Sequence, residues 1–163
     1  MKCDACGGLM VSGRENYHYK ECGLPFVTLQ DLEVRRCPQC GEFEVVIPRI
    51  EQLHQVLAWA VVTKKSRLAP AEVKFLRKHL GWSGADFARH IGVSSETVSR
   101  WEKGRDPMGP IADRALRLMV LLMAPKRDYS LDALTELKDQ PEPYRIGLRA
   151  DEQGWSPSEA LAA

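Results

Sequence analysis

The sequence predicts an α+β chain: a small β-rich N-terminal module followed by an all-α domain that contains a helix-turn-helix. Three observations predict it. Two Cys-x-x-Cys pairs bracket a stretch rich in Tyr, Phe, Val, Thr and Leu. From Pro48 onward the apolar residues adopt the three- and four-residue steps of helices. Between Ser83 and Arg105 the caps, a turn glycine and the apolar positions fall where two short crossing helices need them. The expected divisions are a cysteine-held module over 1–48, a linking helix over 49–69, a helix-turn-helix and dimerisation domain over 70–127, and a short helix with an acidic, flexible tail over 128–163.

In the N-terminal module, Cys3-x-x-Cys6 and Cys37-x-x-Cys40 are separated by thirty residues and each is closed by a glycine, Gly7 or Gly41. A two-residue gap lets a tight turn present both sulfurs to one ion, and four thiolates complete the tetrahedron that zinc prefers. Four protein ligands leave no open position for water, so one structural Zn2+ is expected. A redox dithiol, an iron-sulfur centre and incidental cysteines are the alternatives. The residues between the pairs read as two strands, Asn16 to Glu21 and Pro25 to Arg36, turned at Gly23 and Pro25. A module this small has too little core to fold without help, and structural zinc contributes on the order of 10–16 kcal/mol in comparable peptides. Cys22 and His18 read as a half-buried thiol and a strand histidine, with a fifth ligand as the alternative.

Ile50, Leu53, Leu57, Ala60 and Val61 then repeat at helical spacing up to about Lys65, with Trp59 and His54 as packing residues. A basic linker follows, and Pro70 opens a helix running through Leu80 that packs Val73, Leu76 and Leu80 on Phe87 and Trp101.

Ser83 followed by Asp86 is a capping pattern that starts a helix at Gly84. Phe87, Ala88 and Ile91 share its inner face, and Gly92 suits the left-handed turn that ends it. Ser94 caps a second helix, whose inward residues are Val98 and Trp101 and which stops at Gly104. That leaves Ser95, Glu96, Ser99, Arg100 and Lys103 outward. Such a helix offers its N-terminal residues to base edges in the DNA major groove, with Arg bidentate to guanine. The candidate DNA-binding set is Ser94, Ser95, Glu96, Thr97, Ser99, Arg100, Lys103 and Arg105. A surface ion pair between Glu96 and Arg100, four residues apart, is the alternative reading of those two.

Charge supports a polyanion partner. The formal net charge is only +1, but residues 1–63, 64–127 and 128–163 carry −2, +8 and −5. The basic block is the one with the helix-turn-helix, which makes Lys64, Lys65, Arg67, Lys74, Lys78 and Arg105 candidate phosphate contacts. The helix from Ile111 to Met123 is apolar over more than half its circumference and is expected to be buried on more than one side, closing the core and pairing with a second subunit. A short helix is expected over Leu131 to Leu137, and Tyr144 to Trp155 reads as a hairpin or as disorder. The longest apolar run, Leu118 to Ala124, is far too short to span a bilayer, and the N-terminus shows no leader pattern. A cytoplasmic protein is expected.

Taken together, the Met-Lys-Cys-x-x-Cys start, the distant second pair, the linking helix, Ala69-Pro70-Ala71-Glu72 and Ser99-Arg100-Trp101-Glu102-Lys103-Gly104 resemble the MqsA/YgiT-type antitoxins over roughly Met1 to Met123. The C-terminal half alone is similar to the larger Xre/Cro repressor-like group. The resemblance implies a zinc module that binds an RNA-cleaving toxin, and a helix-turn-helix domain that dimerises on a palindromic operator and represses its own operon. It places the family's base-reading Asn and Arg at Glu96 and Arg100, so the asparagine is replaced here. A stand-alone zinc-containing regulator without a toxin is the competing reading. An enzyme is not expected: the sequence shows no nucleophile-base pair, no open metal position and no phosphate loop.

Overall fold

The computed structural model describes residues 1–158 of the 163. They divide into two units. A sheet unit takes in residues 1–19, 26–53 and the chain from 145 onward, and a helical unit takes in 20–25 and 54–144. The helical unit is therefore inserted into the sheet unit, with the C-terminal segment returning to the N-terminal module.

The sheet unit is built on β2 (Val27–Arg36). On one edge β2 pairs antiparallel with β1 (Val11–His18). The other edge is shared: β3 (Phe43–Val46) pairs antiparallel with Glu33–Arg36, and β4 (Ile146–Ala150) pairs parallel with Val27–Gln30. β5 (Trp155–Pro157) then pairs antiparallel with β4. The register pairs Tyr17 with Leu29 and Glu15 with Leu32, so β2 carries one residue more than β1 at a bulge. An extra residue reverses the phase of a strand's alternation. Val27 and Leu29 before it and Leu32 and Val34 after it are accordingly all buried.

Of the two readings of Tyr144 to Trp155, a hairpin or disorder, the hairpin is the one that forms. Residues 146–150 and 155–157 are strands, and Ile146, Leu148 and Trp155 are buried. The Trp155 indole donates to the Pro48 carbonyl at 2.7 Å, and Arg49 donates to the Glu152 carbonyl at 3.0 Å. The Pro-rich, acidic composition around this segment leaves disorder open beside the hairpin, and the β2 edge supplies hydrogen-bond partners that composition does not reveal. Residues 159–163 of the expected tail lie outside the described residues. β1 begins and ends earlier than the sequence suggests, β2 begins slightly later, and β3 is unanticipated because four residues carry too little alternation to stand out.

The helical unit contains most of α1 (Ile50–Thr63), then α2 (Pro70–His79), α3 (Gly84–Ile91), α4 (Ser95–Glu102), α5 (Pro110–Met123) and a 3-10 turn at Leu131–Leu134, shorter than the expected helix. Leu57, Val61, Val73, Leu76, Phe87, Val98, Leu116 and Val120 form its core. Through this core runs a buried ion pair. Arg117 is 0% exposed and donates to Asp113 at 2.7 Å, to the Val62 and Lys64 carbonyls at the end of α1, and to the Ser66 carbonyl. The other Asp113 oxygen accepts from the Leu68 amide at 2.7 Å. One side chain on α5 thus satisfies carbonyls that the end of a helix leaves without partners.

Lys64, expected at the surface, is instead buried and donates to Glu72 at 2.5 Å. Arg67 is half-buried and donates to the Met108 carbonyl at 2.8 Å. Neither is placed to meet a phosphate. In contrast, the outer face of α5 is not covered: Ile111, Leu122 and Met123 are 82%, 80% and 72% exposed.

Arg117→Met should destabilise the helical unit by about 3–5 kcal/mol, because Asp113 and three carbonyls lose a buried partner; urea unfolding monitored by helix content measures this. His54 and His79 both touch Phe75, and burial lowers the pKa of each below the ordinary 6.5. As pH falls below about 6.5 the unfolded chain takes up these protons first, so stability present above that pH is lost. The urea midpoint of the wild type should fall further between about pH 7.5 and 5.5 than that of H54Q/H79Q.

Candidate metal centre and nucleic-acid interface

The two Cys-x-x-Cys turns are built alike. Gly7 donates to the Cys3 carbonyl at 2.8 Å and Gly41 to the Cys37 carbonyl at 2.9 Å, and both glycines take positive φ, 73° and 77°. This left-handed geometry, which glycine adopts without a steric cost, curls each turn around its own sulfurs. The four sulfurs of Cys3, Cys6, Cys37 and Cys40 lie within 4.8 Å of one another. The cross-pairs Cys3–Cys40 and Cys6–Cys37 are 3.6 and 3.4 Å apart. A tetrahedral ion with ligands at about 2.3 Å needs sulfurs about 3.8 Å apart. The donor set therefore fits a four-coordinate structural metal ion.

Amides of Cys40 and Gln39 donate to Cys37 and hold its thiol at about 6, while desolvation pulls the other way. Cys40 is pushed up to about 12; the Glu42 amide opposes this, but the Cys6 and Cys37 sulfurs, burial and Cys3 outweigh it. One thiolate forms easily while Cys6 and Cys40 resist, because charge accumulates in a confined space. A divalent cation resolves that conflict by replacing the protons. Cys22 stands outside this cluster and belongs to the helical unit, and His18 is exposed on β1. A fifth ligand from either is not formed among the described residues.

In the helical unit the Ser83 hydroxyl accepts from the Asp86 amide at 3.1 Å, and Asp86 accepts from the Ser83 amide at 2.9 Å. α3 ends on Gly92 at φ 79°, and the Ser94 hydroxyl accepts from the Thr97 amide at 3.1 Å to start α4. Both caps and the turn are as the sequence predicts. Inside, Phe87 meets Trp101 edge-on with centroids 6.3 Å apart, while Ala88 and Val98 are buried. Ser95, Glu96 and Arg100 are exposed, Ser99 is half-buried, and Lys103 and Arg105 are exposed beyond them. Ser94 and Thr97 direct their hydroxyls at one another, 2.9 Å apart. Arg100 donates to Glu96 at 2.8 Å and lies 3.7 Å from Asp106. The surface ion pair is thus present in the free chain, on the same face that the base-reading assignment uses.

Several supporting residues are absent from the sequence reading. Arg77 on α2 grips Glu102 on α4 through both carboxylate oxygens, at 2.5 and 3.0 Å, and donates to the Trp82 carbonyl at 2.7 Å. This fork fixes α4 against α2 and against the turn before α3. Its partners are 25 residues apart, so no local spacing announces it. Trp82 stacks on His90 with centroids 4.0 Å apart. Among the charges proposed for phosphate, Lys65, Lys74, Lys78 and Arg105 are exposed.

Residues 73–119 match the Helix-turn-helix family, which spans α2 to α5. The chain thus carries a DNA-binding regulator domain. Comparison with curated proteins returned no match. No helix among the described residues is long and apolar enough to cross a membrane.

Cys37→Ser should abolish binding of the metal and unfold the sheet unit, while the helical unit keeps its structure. Metal content together with amide exchange resolved by residue reads the two units separately; protection of the sheet unit equal to that of the wild type would rule out a structural metal.

Proposed function

We propose that this protein is a sequence-specific transcriptional repressor that binds a palindromic operator as a homodimer, holds one structural Zn2+, and serves as the antitoxin of a type II toxin-antitoxin pair. One observation carries the DNA-binding part: α4 is locked by caps and by the Arg77–Glu102 fork while Ser95, Glu96 and Arg100 face solvent. On DNA, Arg100 exchanges Glu96 for a guanine edge, Ser95, Glu96 and Ser99 meet neighbouring bases, and Ser94, Thr97, Lys103 and Arg105 serve the backbone. Because Glu96 stands where the resembling family reads with Asn, operator sequence should differ from that family's.

Dimerisation is supported by the uncovered face of α5. Leu118 and Leu122 line a groove of about 560 Å³ with Tyr129 and Leu131. A second copy there would remove apolar side chains from water and set two recognition helices on half-sites about 34 Å apart. Zinc is favoured over other ions by the all-thiolate tetrahedral donor set. The family resemblance supports the antitoxin role and a cytoplasmic location. A stand-alone zinc-containing regulator is the alternative, favoured by the C-terminal hairpin on the sheet unit, which that resemblance does not cover.

Arg100→Ala should weaken binding to the specific operator by about 1–3 kcal/mol and relax base preference at one position. Affinity should also fall steeply with salt as phosphate contacts release counterions; fluorescence anisotropy on specific and scrambled duplexes checks both, and unchanged discrimination would remove α4 as the reading helix. Growth of cells expressing each flanking gene, alone and with this protein, tests the finer role. Rescue from a toxic neighbour establishes the antitoxin, and two harmless neighbours leave a stand-alone repressor.

A further inference from the structure

The C-terminal hairpin and the cysteine cluster meet on one strand. β2 runs directly into the second cysteine turn: Arg36 is its last residue and Cys37 is the next, with the Cys37 amide donating to the Glu42 carbonyl at 2.8 Å. The first cysteine turn leads through Leu9 and Met10 into β1, which pairs with β2 between Thr28 and Arg36. The two turns thus open into the strands that lie side by side. A metal ion gathering the four sulfurs fastens β1, β2 and β3 at one end. At the other end of β2, Val27–Gln30 receive β4, and the Ile146 amide donates to the Phe26 carbonyl at 2.9 Å.

Neither end is self-sufficient. β1 is exposed almost throughout, so the buried apolar side chains of this unit come chiefly from β2, from Tyr19 and Leu53, and from Ile146, Leu148 and Trp155 of the returning tail. Without the tail, the buried Val27 and Leu29 lose neighbours on the strand beside them. Without the metal, four crowded sulfurs lose the charge that holds them together. Sheets of this size do not fold on so few side chains without a metal or another staple.

We infer that metal binding at Cys3, Cys6, Cys37 and Cys40 and docking of the 146–157 hairpin on β2 are one coupled equilibrium, so that the metal state of the cluster decides whether the C-terminal segment is held or released. The inference rests on the metal reading above. By linkage the coupling runs both ways: metal tightens the hairpin, and the hairpin tightens the metal. Its output is a change in the tail. Loss of metal frees a chain segment bearing Ile146, Leu148 and Trp155.

Hydrogen exchange on the full chain, with one equivalent of Zn2+ and after EDTA, tests this without any substitution. Zinc stoichiometry is measured first. One ion per chain, with exchange of the 146–150 amides accelerated roughly 5- to 150-fold on chelation, supports the coupling. One ion per chain with unchanged exchange there overturns it while leaving the metal site standing. No bound zinc removes the metal reading, and the coupling with it. The reverse arm uses Leu148→Asp, competed against a chromophoric chelator. Zinc affinity should fall by a similar factor although every thiol is intact, whereas Val120→Ala, a core change in the helical unit, should leave it unmoved. Equal affinities for the wild type and L148D would also overturn the proposal. Should L148D fail to fold, the exchange measurement on the native sequence decides.

Discussion

A guanidinium shut away from water has to find all its hydrogen-bond partners inside the protein, and the helical unit is arranged around that requirement. Arg117 reaches the end of α1, the linker carbonyl of Ser66 and the carboxylate of Asp113, which in turn holds the Leu68 amide. The path of residues 62–68 is thereby fixed, and with it the point at which Pro70 begins α2. α2 then carries Arg77, whose fork fixes α4. α4 is therefore positioned by a chain of buried or half-buried charges that begins on α5. A hydrophobic core alone would hold the same helices together, but its contacts are not directional; charge-assisted hydrogen bonds add the geometric specificity.

The sheet unit follows a different logic, in which one strand supplies both edges to others. β2 is long, its alternation is re-phased by a bulge, and it ends on a metal-ligand candidate. β1, β3 and β4 pair with it directly, and β5 joins the sheet through β4.

Electrostatics on the outer face of α4 also differ from what net charge suggests. The block around the helix-turn-helix is strongly basic, yet Lys64 and Arg117 are spent inside, Arg77 is held by Glu102, and Arg100 is held by Glu96. The positive charge free to meet a polyanion is smaller than the composition implies. Breaking the Glu96–Arg100 pair costs little, since exposed pairs of this kind contribute about 0.2–1 kcal/mol.

Local rules made much of this legible. Cysteine spacing with its following glycines, the Ser83 and Ser94 caps, the left-handed turn at Gly92 and the inward set of Phe87, Val98 and Trp101 each depend on residues within a few positions of one another, and each stands in the structure where the sequence puts it. The cysteine pairs came together although thirty residues part them, because each pair was already recognisable alone. What the sequence could not reveal depends on partners far away in the chain. Asp113 and Arg117 have the spacing of an ordinary surface pair and are buried only because α1 ends over them; Lys64 is buried by Glu72 and its surroundings; residues 146–150 join the sheet because β2 has an edge to offer. By itself, then, the sequence determined the local elements and their chemistry. Tertiary structure decided which charges are buried and where the C-terminal segment ends, since burial and strand pairing are properties of the neighbour as much as of the residue.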